Sequence, residues 1–247
     1  MTELKLRGYV TPEDFGGDVQ KALDMAEKLD IRKVILEKDY VNQEPLTVPA
    51  GTHLILRGTL TACLQSRQIA NYSFEQDRFY IEGGRLVGDI FLYNTRRAVL
   101  QDLTVEGSVR FEYSRDMRME RCRVSGNVYV GRGCANGIFQ SLEVGGFALS
   151  GRVFCGDIVP AKEPEIKNIL LRDSQMTEGS VVLTAAEEVR LFNIQADHIT
   201  APQVAVVIGE EEVALPPESY FNLTFTDLTA PEKLVAFNEA KHAYISL

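Results

Sequence analysis

Asp102, Glu120, Arg121 and Arg123 are the residues of this chain best suited to chemistry. Two carboxyl groups about 5 to 10 Å apart, one protonated and one ionised, can hydrolyse a glycosidic bond. A guanidinium beside a carboxylate holds it ionised, as a nucleophile, a base or half of a calcium site. A lyase needs something else: a base that takes the proton next to a uronate carboxyl group, and a cation that stabilises the enolate. Arg85, Arg110, Arg115, Arg118, Arg121 and Arg123 crowd one stretch. Guanidinium chelates carboxylate through two hydrogen bonds, which suits an acidic sugar. The plainer reading is that Asp102 and Arg121 form a solvated cross-strand ion pair and that the arginines keep exposed strands soluble.

A second group recurs every 19 residues: Phe91, Arg110 and Tyr129, with Asp89, Ser108 and Asn127 alongside. Aromatic rings on a flat strand face stack on sugar rings, and the polar neighbours hydrogen-bond to hydroxyl groups. The alternative is that this row is covered by the segment 150–165 or by another subunit. His53, His198 and His242 lie far apart with no second ligand at i+2 or i+4, so no zinc site is expected. Calcium is the one cofactor left open. No GxxxxGK loop and no GxSxG elbow occurs, which removes nucleotide and serine hydrolase chemistry.

The elements that must position these residues follow from an internal repeat. Gly88, Gly107, Gly126 and Gly145 are each 19 residues apart. Apolar rows keep the same spacing: Ile81, Leu100, Met119 and Ile138; Ile90, Val109, Val128 and Phe147; Leu92, Phe111, Val130 and Leu149. Within a unit the apolar residues alternate, as in Leu103, Val105, Val109 and Phe111, the period of a strand with one buried face. A unit this short cannot bury its own apolar side, so it must stack on its neighbours. The expected fold is all-β: a single-stranded, right-handed parallel β-helix, or solenoid, spanning 1–247 as one domain. Asp102 and Arg121, one period apart, then stand one above the other with Glu120 beside them.

The register slips by one after Ile138, because Leu142 and Val144 lie one position further beyond Cys122 and Val124 than the repeat requires. The segment 150–165 carries two prolines and reads as a protruding loop. Residues 17–29 read as an N-terminal capping α-helix, with Val19, Leu23 and Ala26 on one face and Asp18 at its start. The C-terminal stretch 233–247 is apolar enough to cover the last coil.

Composition agrees with a folded chain: 45% hydrophobic and 25% charged residues. A net charge of -9 argues against nucleic acid and anionic membrane as partners. With no apolar run long enough to span a bilayer and no signal-like start, a cytoplasmic chain is expected. Cys63, Cys122, Cys134 and Cys155 form no CxxC pair and read as buried thiols.

Asp14, Phe15 and Gly16, the helix after them and the stretch LTVPAGTHLILRGTL resemble the N-terminal motif of the pectin lyase-like superfamily, which includes pectate lyases and polygalacturonases. The resemblance covers about the first 60 positions, and DFG is structural. It implies a β-helix acting on an oligosaccharide or polysaccharide, as a lyase or glycoside hydrolase. The family's Pro-Gly strand is replaced by VILEKDY, and the Asn-Thr-Asp, paired aspartates, Gly-His-Gly and Arg-Ile-Lys of polygalacturonases do not appear. The functional expectation is therefore a protein that binds an acidic oligosaccharide or polysaccharide, with or without cleaving it. Its rival is a noncatalytic assembly or adhesion module, as a homo-oligomer.

Overall fold

Alternation of small apolar and polar residues leaves each short strand with one face that only a neighbouring strand can complete. The chain meets that need by winding upon itself. The computed structural model describes residues 2–67, 76–151, 165–186, 189–210, 219–237 and 245–246. Among them, every pairing between named strands is parallel, and each strand pairs with its equivalents one coil away. In the regular part a coil has three strands, as in Thr95–Gln101, Thr104–Glu106 and Val109–Glu112. Stacking these gives three faces, here called the first, second and third sheets in that order.

The apolar rows stack as the spacing requires. Val109 pairs with Ile90 and Val128, and Val128 with Phe147. Leu92, Phe111, Val130 and Leu149 form the next row, and every side chain of both rows is buried. The core is a column of such rows, with strands about 4.8 Å apart. Glycine at the corner between the second and third sheets is enforced by close approach: a Cβ on Gly107 would lie 2.4 Å from the carbonyl oxygen of Gly88, and one on Gly145 would lie 2.6 Å from that of Gly126.

The slip in register occurs before Ile138, not after it. Phe111 pairs with Val130 at the regular spacing, but Arg115 bridges to Ala135, one position beyond it; the extra residue is absorbed in the turn between Val130 and Ala135. A bulge between Val124 and Asn127 restores the original spacing. Because side chains alternate, the slip turns Ile138 outward, 42% exposed, and Phe139 takes the core position over Met119. The expected row of Ile81, Leu100 and Met119 thus continues through Phe139. Later coils are longer, so that equivalent positions stand 32, 25 and 29 apart (Gln140 to Arg172, Asn168 to Asn193, Asn193 to Asn222).

The capping helix runs Val19–Leu29, and the Asp18 carboxylate accepts a hydrogen bond from the Lys21 amide at 2.9 Å. Its buried face is Val19, Ala22, Leu23, Ala26 and Leu29, laid over the first coil, while Gln20 exchanges two hydrogen bonds with the backbone of Thr47. The DFG residues serve structure: Asp14 accepts the Thr11 amide at 2.8 Å, and Gly16 closes the 3-10 turn Pro12–Phe15 in a left-handed conformation. Cys122 and Cys134 are buried, but Cys63 is exposed, because Ala62 and Leu64 on either side take the inward positions. Cys155, and the segment 152–164 that forms nearly all of the expected loop, lie outside the described residues. At the C-terminal end, Glu232–Ala236 and Ile245–Ser246 continue the coils as strands. Among the described residues no helix is long and apolar enough to cross a membrane.

Candidate functional site

From Asp116 onward, the first-sheet strands carry residues in the left-handed region five positions apart: Asp116 and Arg121, Asn136 and Ser141, Asn168 and Asp173, Asn193 and His198, Asn222 and Asp227, with φ between 49° and 60°. Such backbone favours glycine, asparagine and aspartate and costs other residues about 1 kcal/mol or more. Arg121 at φ 50° therefore needs support, and it finds it in carboxylates. Its Nε and Nη2 donate to the two oxygens of Asp102 at 2.6 and 2.9 Å, and its Nη1 lies 3.6 Å from Glu120. The coil period has placed Asp102 under Arg121 as the sequence implies.

This pairing decides what Asp102 can do. The Arg121 guanidinium, followed by a hydrogen bond from Gln101, holds the Asp102 carboxyl at about 2. Asp102 is thus ionised at neutral pH and cannot be the protonated acid of a glycosidase. Glu120 is nearly buried and lies 2.5 Å from Arg118. Arg123, on the second sheet, pairs with Glu143 of the next coil at 3.0 Å. Other members of the arginine cluster are similarly engaged, Arg85 by Glu106 and Arg118 by Glu120. Arg121 and Arg123 border a groove of about 480 Å³ that also touches Ser141, Glu143, Asp173 and His198.

The residues expected to bind substrate lie elsewhere. Phe91, Arg110 and Tyr129 stand in one outward row on the third sheet, each half-buried, with Phe91 opposite Arg110 and Arg110 opposite Tyr129. The Arg110 guanidinium sits 5.1 Å from the centre of the Tyr129 ring, and Asn127 donates to the Tyr129 hydroxyl at 2.9 Å. Asp89 accepts the Ser108 amide at 2.7 Å, so it ties two coils at the glycine corner. The structure brings each set together but puts them on different sheets. They do not form one site.

Three groupings escape the sequence reading. His53 and Glu82 meet at 3.0 Å, and the Tyr80 hydroxyl reaches Gln101 at 3.0 Å; burial and then the Glu82 contact push the phenol up. His198 lies 3.0 Å from Asp197, 3.5 Å from Asp227 and 4.0 Å from Asp173, and the hydrogen bond to Asp197 is the largest cause of its raised pKa. Among the described residues, Asp197, His198 and Asp227 are a group that could hold a metal ion, with donor atoms within 4.8 Å of one another. The third grouping is a ladder of amides: Asn136 donates to Asp116, Asn168 to Asn136 and Asn193 to Asn168, each at 3.0 Å, and Asn222 to Asn193 at 2.5 Å. Its signal was present, since each of the last three asparagines precedes Ile or Leu at a strand start, but the uneven coil lengths hid it from a search at one fixed period.

These features define a right-handed parallel β-helix. No family model and no curated protein matches the chain. Among solved structures it is similar to the tailspike protein of E. coli bacteriophage HK620, solved in complex with a pentasaccharide, at 12% identity and a TM-score of 0.62 over 91% of this chain. The chain spans about half (51%) of that tailspike chain. The A-module of an Azotobacter vinelandii mannuronan C-5 epimerase also aligns, at 12% identity and a TM-score of 0.45, over 92% of this chain and 98% of the module.

Proposed function

We propose that this β-helix binds an oligosaccharide or polysaccharide along its third sheet. The observation that carries the reading is the row of Phe91, Arg110 and Tyr129 on consecutive coils, with rings and guanidinium half-open to solvent and Asn127 alongside. Rings supply stacking surface for the C–H faces of sugars, and Arg110 supplies paired donors suited to a uronate. The tailspike of the same fold, solved with a pentasaccharide, supports the class of ligand.

If the chain also cleaves its ligand, Asp102, held as a carboxylate by Arg121, would be an ionised group and not the acid, in hydrolysis and elimination alike. The assembly reading differs in the fate of the aromatic row: a dimer or trimer would bury it. Calorimetry with uronate-containing oligosaccharides tests the proposal. Binding that weakens about tenfold in Phe91→Ala with Tyr129→Ala supports it, and an affinity unchanged by both overturns it. Light scattering on the same protein separates the rival, which needs a stable oligomer that the double variant dissociates.

A further inference from the structure

The outward turn of Ile138 creates a surface that the regular repeat would not have. Ile138 and Leu170 occupy neighbouring coils in one outward file of the first sheet, followed by Gln195. With the amide ladder beside them they line a groove of about 520 Å³. None of its described lining residues is charged. That sets it apart from the Arg121 groove and from the His198 cluster on the same coils.

Asn136, Asn168 and Asn193 each use one N–H and one carbonyl lone pair along the ladder, Asn222 uses one N–H, and an amide has two of each. The wall therefore offers a donor and an acceptor at every coil, about 4.8 Å apart. The floor is apolar. The charges at its edge are already engaged, Arg118 beside Ile138 by Glu120 and Asp116 at the head of the ladder by Arg96, which disfavours a charged ligand, and a purely apolar one would strip the amides of water without replacing their hydrogen bonds. A hydroxyl both donates and accepts, and a sugar ring has apolar C–H faces, so a neutral sugar satisfies wall and floor together. A peptide could not add as a strand, because the parallel stacking already uses the backbone groups of these strands.

We infer that the groove between Ile138, Leu170, Gln195 and the asparagine ladder is a binding subsite for neutral sugar units. It rests on the carbohydrate reading for its ligand class but uses a different sheet from Phe91 and Tyr129. The test is an array of neutral oligosaccharides, built from hexoses, deoxyhexoses and N-acetylhexosamines, probed with the full chain and followed by calorimetry on any glycan retained. Ile138→Glu and Leu170→Glu should each weaken that glycan at least tenfold, whereas Phe91→Ala should change it less than twofold. Gln195→Ala, at an exposed position that removes no core contact, should weaken it by severalfold and covers the case in which a glutamate variant fails to fold. No retained neutral glycan, affinities unchanged in folded groove variants, or retention of peptides in place of glycans would overturn the inference. A failure of the third-sheet reading shows separately, as uronate binding indifferent to Phe91→Ala and Tyr129→Ala.

Discussion

Arg121 clasps the carboxylate of Asp102, one coil away, through two hydrogen bonds of 2.6 and 2.9 Å, and does so from a left-handed backbone. The pair is half-exposed, so solvent screens it and its contribution is small. Asp102→Asn should lower the melting temperature slightly at pH 7. The carboxyl is lowered from its ordinary 3.8 to about 2, so its contribution is present above about 3.8 and is lost as pH falls through about 2. Melting curves of the two proteins should differ at pH 7 and converge near pH 2.

His198 titrates in the opposite sense. Asp197, and after it Asp227 and Asp173, raise its pKa above the ordinary 6.5. The protonated ring therefore stabilises the native coils below about 6.5, and that contribution is lost as pH rises through the raised value. The imidazole resonances, followed by NMR, should show a midpoint above 6.5 that Asp197→Asn moves back towards it.

Gly107→Ala should be among the more damaging single changes. Its Cβ would meet the Gly88 carbonyl oxygen at 2.4 Å, and the atom in the way is backbone that cannot swing aside. A loss on the order of 2–4 kcal/mol is expected in denaturant unfolding.

Ile138 and Phe139 test the register. Phe139 is fully buried beneath Phe111 and Phe147, with ring centres 5.8 and 4.9 Å away, and Phe139→Ala should cost about 3–5 kcal/mol. Ile138→Ser should stay within about 0.5 kcal/mol in the same unfolding measurement. The order would reverse if the regular spacing ran unbroken through this coil.

The coil architecture was legible because Gly88, Gly107 and Gly126 mark a corner where only glycine fits, and because apolar rows must align for any core to form. Asp102 and Arg121 were legible as a pair for the same reason. Leu142 and Val144 showed the slip, but what could not be read was where the extra residue enters, because nothing in the spacing marks the turn between Val130 and Ala135 that turns Ile138 outward. The amide ladder and the His198 cluster lie on the longer, unequal coils, where a fixed period loses them. That the two candidate residue sets sit on different sheets needs the corner geometry, which spacing along one period does not encode.

The most direct test of the account is chemical-shift mapping of the full chain titrated with a uronate-containing hexasaccharide. The largest perturbations are expected at Phe91, Arg110, Asn127 and Tyr129. Perturbations confined to other faces, or none at saturating ligand, would contradict it.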